Sequence, residues 1–586
     1  MLRPLDVVSR YLRQGNGLVA GRPPLHVALV AALSVAVYAN AIGNGLVSDD
    51  TVLIAGNPAI RSLRELPTVF SSGIWDVDGR ASNNYRPVGF LLFGLVHMLA
   101  GTAPWAYHAL SLMLHAAASA TAFLIARTLL GPPKAGGPSS GIPALLVGVL
   151  FAVHPIHAEA VAWASGVFDL SFALFFLLAL YLALPAAANG RTARGALVSY
   201  AAALLCKEPA ITLPGVLLVY WWAKDGRELG LRGLARTAAP WIAVSVGYLV
   251  MRSLALGGIA PQSVPTGLSP WEYVLTALSL VGRFLRAEVF PVTLNFWHVF
   301  TPVRSLWSPE AAIAALTVGA WASLFVWSAK RRLQVPVLAL TLSVLPLTPL
   351  LMFASLNQGL ENAFAERYLY LPSFGVVLLA GWAVAALYPK RVPAARALTA
   401  ALAALGILGA AMTVNRNHVW KSSLSLWADA SAKSPQSGVA NLNYGYALMA
   451  AGRSAEGRRY IDRGVALNRD IIRIEMERAI SYAQQQRSSE AILAFHRVLA
   501  MDPGSSQAHY NLGVLYEERG QTAMAIGEYL AAIKLNPAAA DAHNNLGILY
   551  STGGFRQQAL QHLEEAVRLR PQEAAFRANL DRARDR

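Results

Sequence analysis

Charge is scarce in this sequence. Only 14% of its 586 residues are Asp, Glu, Lys or Arg, where soluble globular proteins carry about a quarter. With 55% hydrophobic residues and a mean hydropathy of +0.42, this excludes an ordinary soluble fold along the whole length and points to an integral membrane protein. Cysteine is nearly absent. The single Cys206 excludes an internal disulfide and, lying in an apolar segment, says little about compartment. Acidic residues are outnumbered, 33 against 49 basic, for a net charge of +16. In a soluble chain that excess suggests nucleic acid. Here the basic residues collect in short loops between apolar runs, the positive-inside pattern of a membrane protein, and no nucleic-acid partner is expected.

The loops order the apolar runs. Residues 1–23, with Arg3, Arg10, Arg13 and Arg22, form a tail expected in the cytoplasm. The run at 25–43 is long enough to cross a bilayer. A basic leader before Ala39-Asn-Ala41 also has the form of a signal peptide, but the leader is long for one and the run reads as an uncleaved anchor. If the short segment 88–100 lies in the membrane interface, further spans follow at 104–130, 142–155, 169–185, 197–206, 209–223, 238–256, 307–328, 335–354, 367–387 and 397–414. Eleven spans then leave long outer loops at 45–103 and 257–306. Lys134, Arg191, Lys330-Arg-Arg332 and Lys390-Arg391 all fall inside. The segments 142–155 and 197–206 are short, which makes each a candidate for a re-entrant turn.

The character changes beyond 415. Pro503, Pro537 and Pro571 recur at a spacing of 34 residues, as do Ala440, Ile474, Ala508 and Ala542. Small residues repeat at 445, 479, 513 and 547 and again at 457, 491, 525 and 559. This is the tetratricopeptide signature, in which paired antiparallel helices stack closely over small side chains. It predicts four repeats over 437–572, a linker at 415–436 and a capping helix at 573–586. The expected fold is all-α: a polytopic membrane bundle followed by a repeat solenoid.

The topology brings nearly all the unusual polar residues to one face. Asp49 and Asp50 follow the first span directly, and a carboxylate there has the chemistry of a general base for a hydroxyl acceptor. The plain alternative is that the pair ends a helix and solvates a loop. Arg86, Lys207 and Arg367 are candidates to hold a phosphate and to stabilise an anionic leaving group. The plain alternative pairs each with a nearby carboxylate, as Lys207 with Glu208. His154, His157, Glu159, Asp169, Glu208 and Glu366 are candidates to hydrogen-bond a sugar or an acceptor. The His-Pro-x-His spacing matches no standard zinc pattern, and no metal site is expected. His97, His108 and His115 lie on apolar segments and read as structural. In the repeats, Asn443, Asn511 and Asn545 share one position of the first helix, interrupted by Glu477. Their amides suit either an extended peptide in the groove or bonds between repeats.

The stretches Asn44-Gly-Leu-Val-Ser-Asp-Asp50, Tyr85-Arg-Pro87, His154 to Trp163 with Asp169, Lys207-Glu208, Glu366 to Ser373 and Asn415 to Trp420 before Leu426-Trp427 together make a resemblance. The chain resembles the transmembrane and tetratricopeptide-repeat proteins related to protein O-mannosyltransferases, within the GT-C glycosyltransferases. The resemblance implies a GT-C-type membrane domain over 24–414. It also implies a polyprenyl-phosphate sugar donor used on the outer face and a Ser or Thr hydroxyl acceptor. Asp49 maps to the family's base. No cofactor is implied as a requirement, although paired carboxylates leave room for a divalent cation. The expected location is a bacterial inner membrane, with the repeats on the periplasmic side. Two positions depart from the family's pattern. Ser48 stands where an aromatic is common, and Phe168 where a basic residue often precedes the Asp corresponding to Asp169. Two other classes compete: a membrane-anchored repeat scaffold without catalysis, and a polysaccharide polymerase or ligase with a lipid-linked donor.

Overall fold

A computed structural model describes residues 23–62, 64–74, 84–131, 141–186, 193–258, 268–349, 363–468 and 470–585. The basic tail over 1–22, with Lys134 and Arg191, lies outside them. The described residues are helical and contain no strand. They form two compact units that divide between Ser434 and Pro435.

The first unit contains α1 (Pro23–Tyr38), α2 (Pro87–Ala100), α3 (Pro104–Leu130), α4 (Gly141–Ala152), α5 (Ala158–Ala162), α6 (Val167–Ala186), α7 (Arg194–Cys206) and α8 (Leu213–Leu256). There follow α9 (Pro270–Val289), α10 (Pro309–Lys330), α11 (Gln334–Val344), α12 (Ser373–Leu387), α13 (Val392–Asn417) and α14 (Ser423–Lys433). Most are apolar all round, as helices are when lipid or other helices surround them. Prolines sit in the first turn of α2, α3, α10 and α13, where their missing N–H costs nothing.

Among the described residues, six helical segments are long and apolar enough to cross a membrane: Pro23–Ala41, Pro104–Leu130, Ala164–Pro185, Arg232–Leu256, Pro309–Lys330 and Val392–Lys421. A seventh is the pair Gly141–Ala152 and Pro155–Ala162, bent by 40°. Shorter apolar helices stand at other expected spans, and residues 350–354 of the span expected at 335–354 lie outside the described residues, so length and composition do not establish eleven. Two expected spans, 209–223 and 238–256, are the halves of α8, which is broken at Gly230 (φ 58°, ψ 177°). The loop expected at 257–306 contains the twenty-residue helix α9 instead. Ser269 and Glu272 close a capping box at its start. Leu275, Leu280, Phe284 and Leu285 are buried on one face, while Arg283 and Arg286 stay half-buried. A run of mixed polarity hid this amphipathic helix from a search for spans. The linker at 415–436 is also mostly helical, continuing α13 to Asn417 and including α14.

The ends of the first and last long helices are stitched by asparagines. Asn417 Nδ2 donates to the Val37 carbonyl (3.1 Å) and to Asn40 Oδ1 (2.7 Å). Asn44 Nδ2 donates to the Asn417 carbonyl (3.2 Å), and Gly45 N to the Lys421 carbonyl (3.0 Å). Two distant motifs, 44–50 and 415–420, are therefore one structural feature.

The second unit is a run of helix pairs: α15 (Gly438–Ala450) with α16 (Ser454–Leu467), α17 (Asp470–Gln484) with α18 (Ser488–Met501), α19 (Ser506–Glu518) with α20 (Thr522–Leu535), and α21 (Ala540–Thr552) with α22 (Arg556–Leu569). The single helix α23 (Ala574–Asp585) follows. The repeating small residues sit at the helix crossings. A Cβ on Gly445 would lie 2.7 Å from the Gly457 carbonyl oxygen, and one on Gly457 would lie 2.7 Å from that of Gly445. Phe495, Leu512, Tyr529 and Leu563 fill the spaces between helices. Burying a side chain of this size away from water contributes about 1.5–3 kcal/mol.

Candidate active site

The acidic pair sits outside the first long helix, in a turn built for it. Asp50 is fully buried and precedes a single wide helical turn, Thr51–Ala55. Its Oδ1 accepts from the Ser165 backbone N–H (2.8 Å) and hydroxyl, and its Oδ2 from the Val47 N–H (2.9 Å). Burial pushes the Asp50 carboxyl up to about 7, against the Ser165 and Val47 donors, which pull it down. Ser48 takes φ +54°, a left-handed conformation that a non-glycine residue adopts at a cost of about 1–3 kcal/mol. The Trp163 indole N–H ties the same turn down by donating to the Val47 carbonyl (3.2 Å). Asp50 thus holds the turn, and Asp49, half-buried, is the member of the pair nearer solvent. Ser165 carries no signal in the sequence, because its partner lies 115 residues away.

The three candidate cations form one network with three carboxylates. Arg86 donates through Nε (3.2 Å) and Nη2 (3.0 Å) to Glu208 Oε2, while the Tyr85 N–H donates to Oε1 (3.0 Å). Burial raises the Glu208 carboxyl, but Arg86 and the Tyr85 N–H outweigh it and leave it below the usual range. Lys207 pairs with Asp169, not with its sequence neighbour Glu208: the turn into Glu208–Thr212 sends the adjacent side chains to different partners. Burial lowers the Lys207 ammonium to about 8, with Asp169 opposing. Arg367 pairs with Glu159 through Nη1, and its backbone N–H donates to Glu159 Oε2 (3.1 Å). Lys207 Nζ and the Arg367 guanidinium both lie against the Tyr368 ring, at 4.8 and 4.9 Å from its centroid. Arg367 also covers Trp163 (5.2 Å), which links the network to the Asp50 turn. Phe168 meets this network at Arg86, whose guanidinium lies 5.8 Å from its ring centroid. It is buried against Phe90 and Phe93 under Arg86, and a Cβ on Gly89 would lie 2.2 Å from its ring.

The two histidines expected to touch a sugar are internal stitches. His154 Nδ1 accepts from the Ile156 N–H (3.3 Å), and its Nε2 bonds the Glu288 carbonyl (3.2 Å). His157 is fully buried among His115, Phe151 and Tyr370, with Nε2 at 2.8 Å from the Ser373 hydroxyl. His115 is held by the Tyr370 hydroxyl (2.7 Å) and the Ala152 carbonyl (3.0 Å). These rings fasten the bend between α4 and α5.

Glu366 turns away from Arg367 toward the segment that follows α9. Its Oε1 accepts from the Asn295 N–H and from His298 Nε2 (3.0 Å), and its Oε2 is buried without a partner among the described residues. In the repeats, Asn443 Nδ2 donates to the Val439 carbonyl (2.9 Å) and Asn545 Nδ2 to the Tyr529 hydroxyl (3.3 Å). Both amides therefore already serve the fold, while Asn511 is half-buried at the equivalent position of α19.

Comparison with known proteins adds to this geometry. A family profile described as tetratricopeptide repeat matches residues 476–540 and 518–574. The chain is 37% identical over 188 residues to the Drosophila melanogaster protein O-mannosyl-transferase Tmtc1, covering 31% of this chain and 21% of that protein. It is 25% identical over 563 residues to Drosophila Tmtc3, covering 84% of this chain and 60% of the relative. It is 28% identical over 500 residues to human TMTC1, covering 76% and 55%. The chain thus spans at most 60% of the length of these relatives. A crystal structure of MamA is a partial structural neighbour, at 20% identity over 26% of this chain and 89% of that one, with a TM-score of 0.18. The long alignments run across the membrane unit and into the repeats, so the chain is similar to TMTC proteins along most of its length.

Proposed function

We propose that the chain is a membrane glycosyltransferase. It moves a hexose, mannose first among candidates, from a polyprenyl-phosphate donor to Ser or Thr hydroxyls of polypeptides. The observation that carries this reading is the acid turn. A buried Asp50 with three hydrogen bonds and a left-handed Ser48 hold Asp49 in place at the end of a membrane helix. Strain at such a turn is a common mark of function.

Asp49 takes the acceptor's hydroxyl proton as that oxygen attacks the anomeric carbon. The bond from that carbon to the donor phosphate breaks, and the phosphate leaves with the electron pair. One displacement inverts the anomeric centre. Lys207, Arg367 and Arg86 stabilise the departing charge, which shares them with Asp169, Glu159 and Glu208. This displacement is written without a metal, and the paired carboxylates leave room for a divalent cation. The repeat unit is the proposed holder of the acceptor polypeptide, and the similarity to proteins named O-mannosyl-transferases supports the choice of sugar and acceptor. The membrane is proposed to be a bacterial inner membrane, with the chain's N-terminus in the cytoplasm and the repeats outside.

A second reading, a non-catalytic repeat scaffold, draws on one observation: each of the three cations already has its own carboxylate. The deciding assay gives purified full chain and its Asp49→Asn variant radiolabelled polyprenyl-phosphate hexoses and a periplasmic extract. The transferase predicts label in protein, and a loss of roughly 10²–10⁴-fold in the variant. Full transfer by a folded Asp49→Asn protein would sink Asp49 as the base. Failure to transfer from any donor, with partner capture by the repeats intact, would favour the scaffold.

A further inference from the structure

A cavity of about 300 Å³ opens beside α9, separate from the cation network. Arg283 and Arg286 line it from α9, with His298 and Glu366 across from them. Arg86, Lys207, Arg367 and Arg416 each pair with a carboxylate. Arg283 and Arg286 form no such pair among the described residues. Arg283 Nη2 donates to His298 Nδ1 (3.1 Å), and Arg286 Nη1 to the Thr317 hydroxyl (3.3 Å), both neutral acceptors. With Nδ1 accepting, His298 donates from Nε2 to Glu366 Oε1. That leaves Glu366 Oε2 buried, unpartnered and on the cavity wall.

Neither guanidinium forms a direct ion pair, although the Glu366 carboxylate acts on Arg283 from across the cavity, and two such planar forks suit a phosphate, which they grip in a fixed geometry. A buried carboxylate oxygen without a donor suits a hydroxyl. The volume is at the lower end of small-ligand pockets and holds a phosphate with one polyol but no lipid tail. Phe290 is exposed at the cavity's edge, with Val292 exposed close by in the chain; Trp271 and Val274 are exposed at the other end of α9. An amphipathic helix with such residues lies at a membrane interface.

We infer that this cavity binds a phosphodiester joining a lipid to a polyol. Arg283 and Arg286 take the phosphate, and Glu366 Oε2 accepts from a polyol hydroxyl. A glycerophospholipid such as phosphatidylglycerol and a prenyl-phosphate hexose share this chemistry. The site stands whether or not Asp49 is a base.

The test uses the full chain in detergent and calorimetric titration with three short-chain probes. These are dihexanoyl phosphatidylglycerol, a short prenyl-phosphate mannose, and dihexanoyl phosphatidylcholine, whose headgroup has no hydroxyl. The expected result is that one of the first two binds at least tenfold more tightly than the choline lipid. Arg283→Gln and Arg286→Gln each weaken it at least tenfold, and Glu366→Gln narrows the preference over choline. A diazirine analogue of the bound probe, applied to the wild-type protein, labels peptides within 283–298; this arm holds even where a variant fails to fold. Binding of the glycerol lipid alone makes the cavity a phospholipid site, and binding of the mannose lipid makes it a donor site. Equal affinity in both folded arginine variants, labelling elsewhere, or no binding of either probe overturns the inference. Loss of transfer with binding intact counts against the transferase and leaves this site standing.

Discussion

The two units treat charge in opposite ways. In the membrane unit the ion pairs of the candidate site are buried and long-range: Lys207 with Asp169 across 38 residues, Arg367 with Glu159 across 208. In the repeat unit many are local and wet, such as Arg473 with Glu477 at i,i+4, each side chain 62% exposed. A surface pair is worth at most about 1 kcal/mol, because water already solvates both partners. A buried pair gives little net stability, yet breaking it leaves an unpaired charge at a cost of about 3–5 kcal/mol. Ion pairs in the membrane unit therefore define which segments meet. Those in the repeats only tune helices that packing has already set.

This contrast can be broken from its strongest side. Lys207→Met leaves Asp169 buried and unpaired, and should cost about 3–5 kcal/mol, seen as a large fall in Tm of the detergent-solubilised chain. Adding Asp169→Leu should recover most of it; a double variant as unstable as the single one would mean that something other than the ion pair was lost. The next effect is one of pH. Folded Asp50 holds its proton up to about 7, while the unfolded carboxyl loses it near 4. Over that window the folded state binds more protons, so wild-type stability falls as pH rises and then levels off. Asp50→Asn should remove this component, and urea midpoints taken at intervals from pH 4 to 8 would show a flatter profile in the variant.

A packing change comes third. Gly445→Ala puts a methyl against the Gly457 backbone and should cost about 1–3 kcal/mol, read as faster hydrogen exchange confined to α15 and α16. Weakest of all, Arg473→Ala should leave stability almost unchanged, within reach only of a careful denaturant titration. A loss there as large as that for Lys207 would dissolve the distinction between the units.

The repeat helices were legible because their information is local. A spacing of 34 residues, with small residues at two fixed offsets, already describes a helix pair that stacks on its neighbour. In the membrane unit, the long apolar helices were legible for the same kind of reason, since about twenty apolar residues suffice to cross a bilayer. The broken and short elements were less so. Gly230 breaks α8 between the two expected spans, whereas α9 mixes Arg and Glu into an apolar face, so length and hydropathy overlook α9.

At the site, residue types were legible and their partners were not. Asp49, Asp50, Arg86, Lys207 and Arg367 stand out because charge beside apolar segments is costly. Nothing near Lys207 in the chain indicates Asp169 over Glu208, and nothing near Asp50 indicates Ser165. His154 and His157 were conspicuous for their chemistry, yet the fold uses them to pin a bend.

By itself the sequence determined what short-range physics can determine: helical class, apolar length, the repeat period, and a scarcity of charge that makes each buried ion conspicuous. Only the tertiary structure decided how those ions pair, which asparagines join the first and last membrane helices, and which arginines form no direct ion pair among the described residues. The reason is that a buried charge must find its partner in space. The partner is chosen by where the helices cross, often across hundreds of residues, and no local pattern records that crossing.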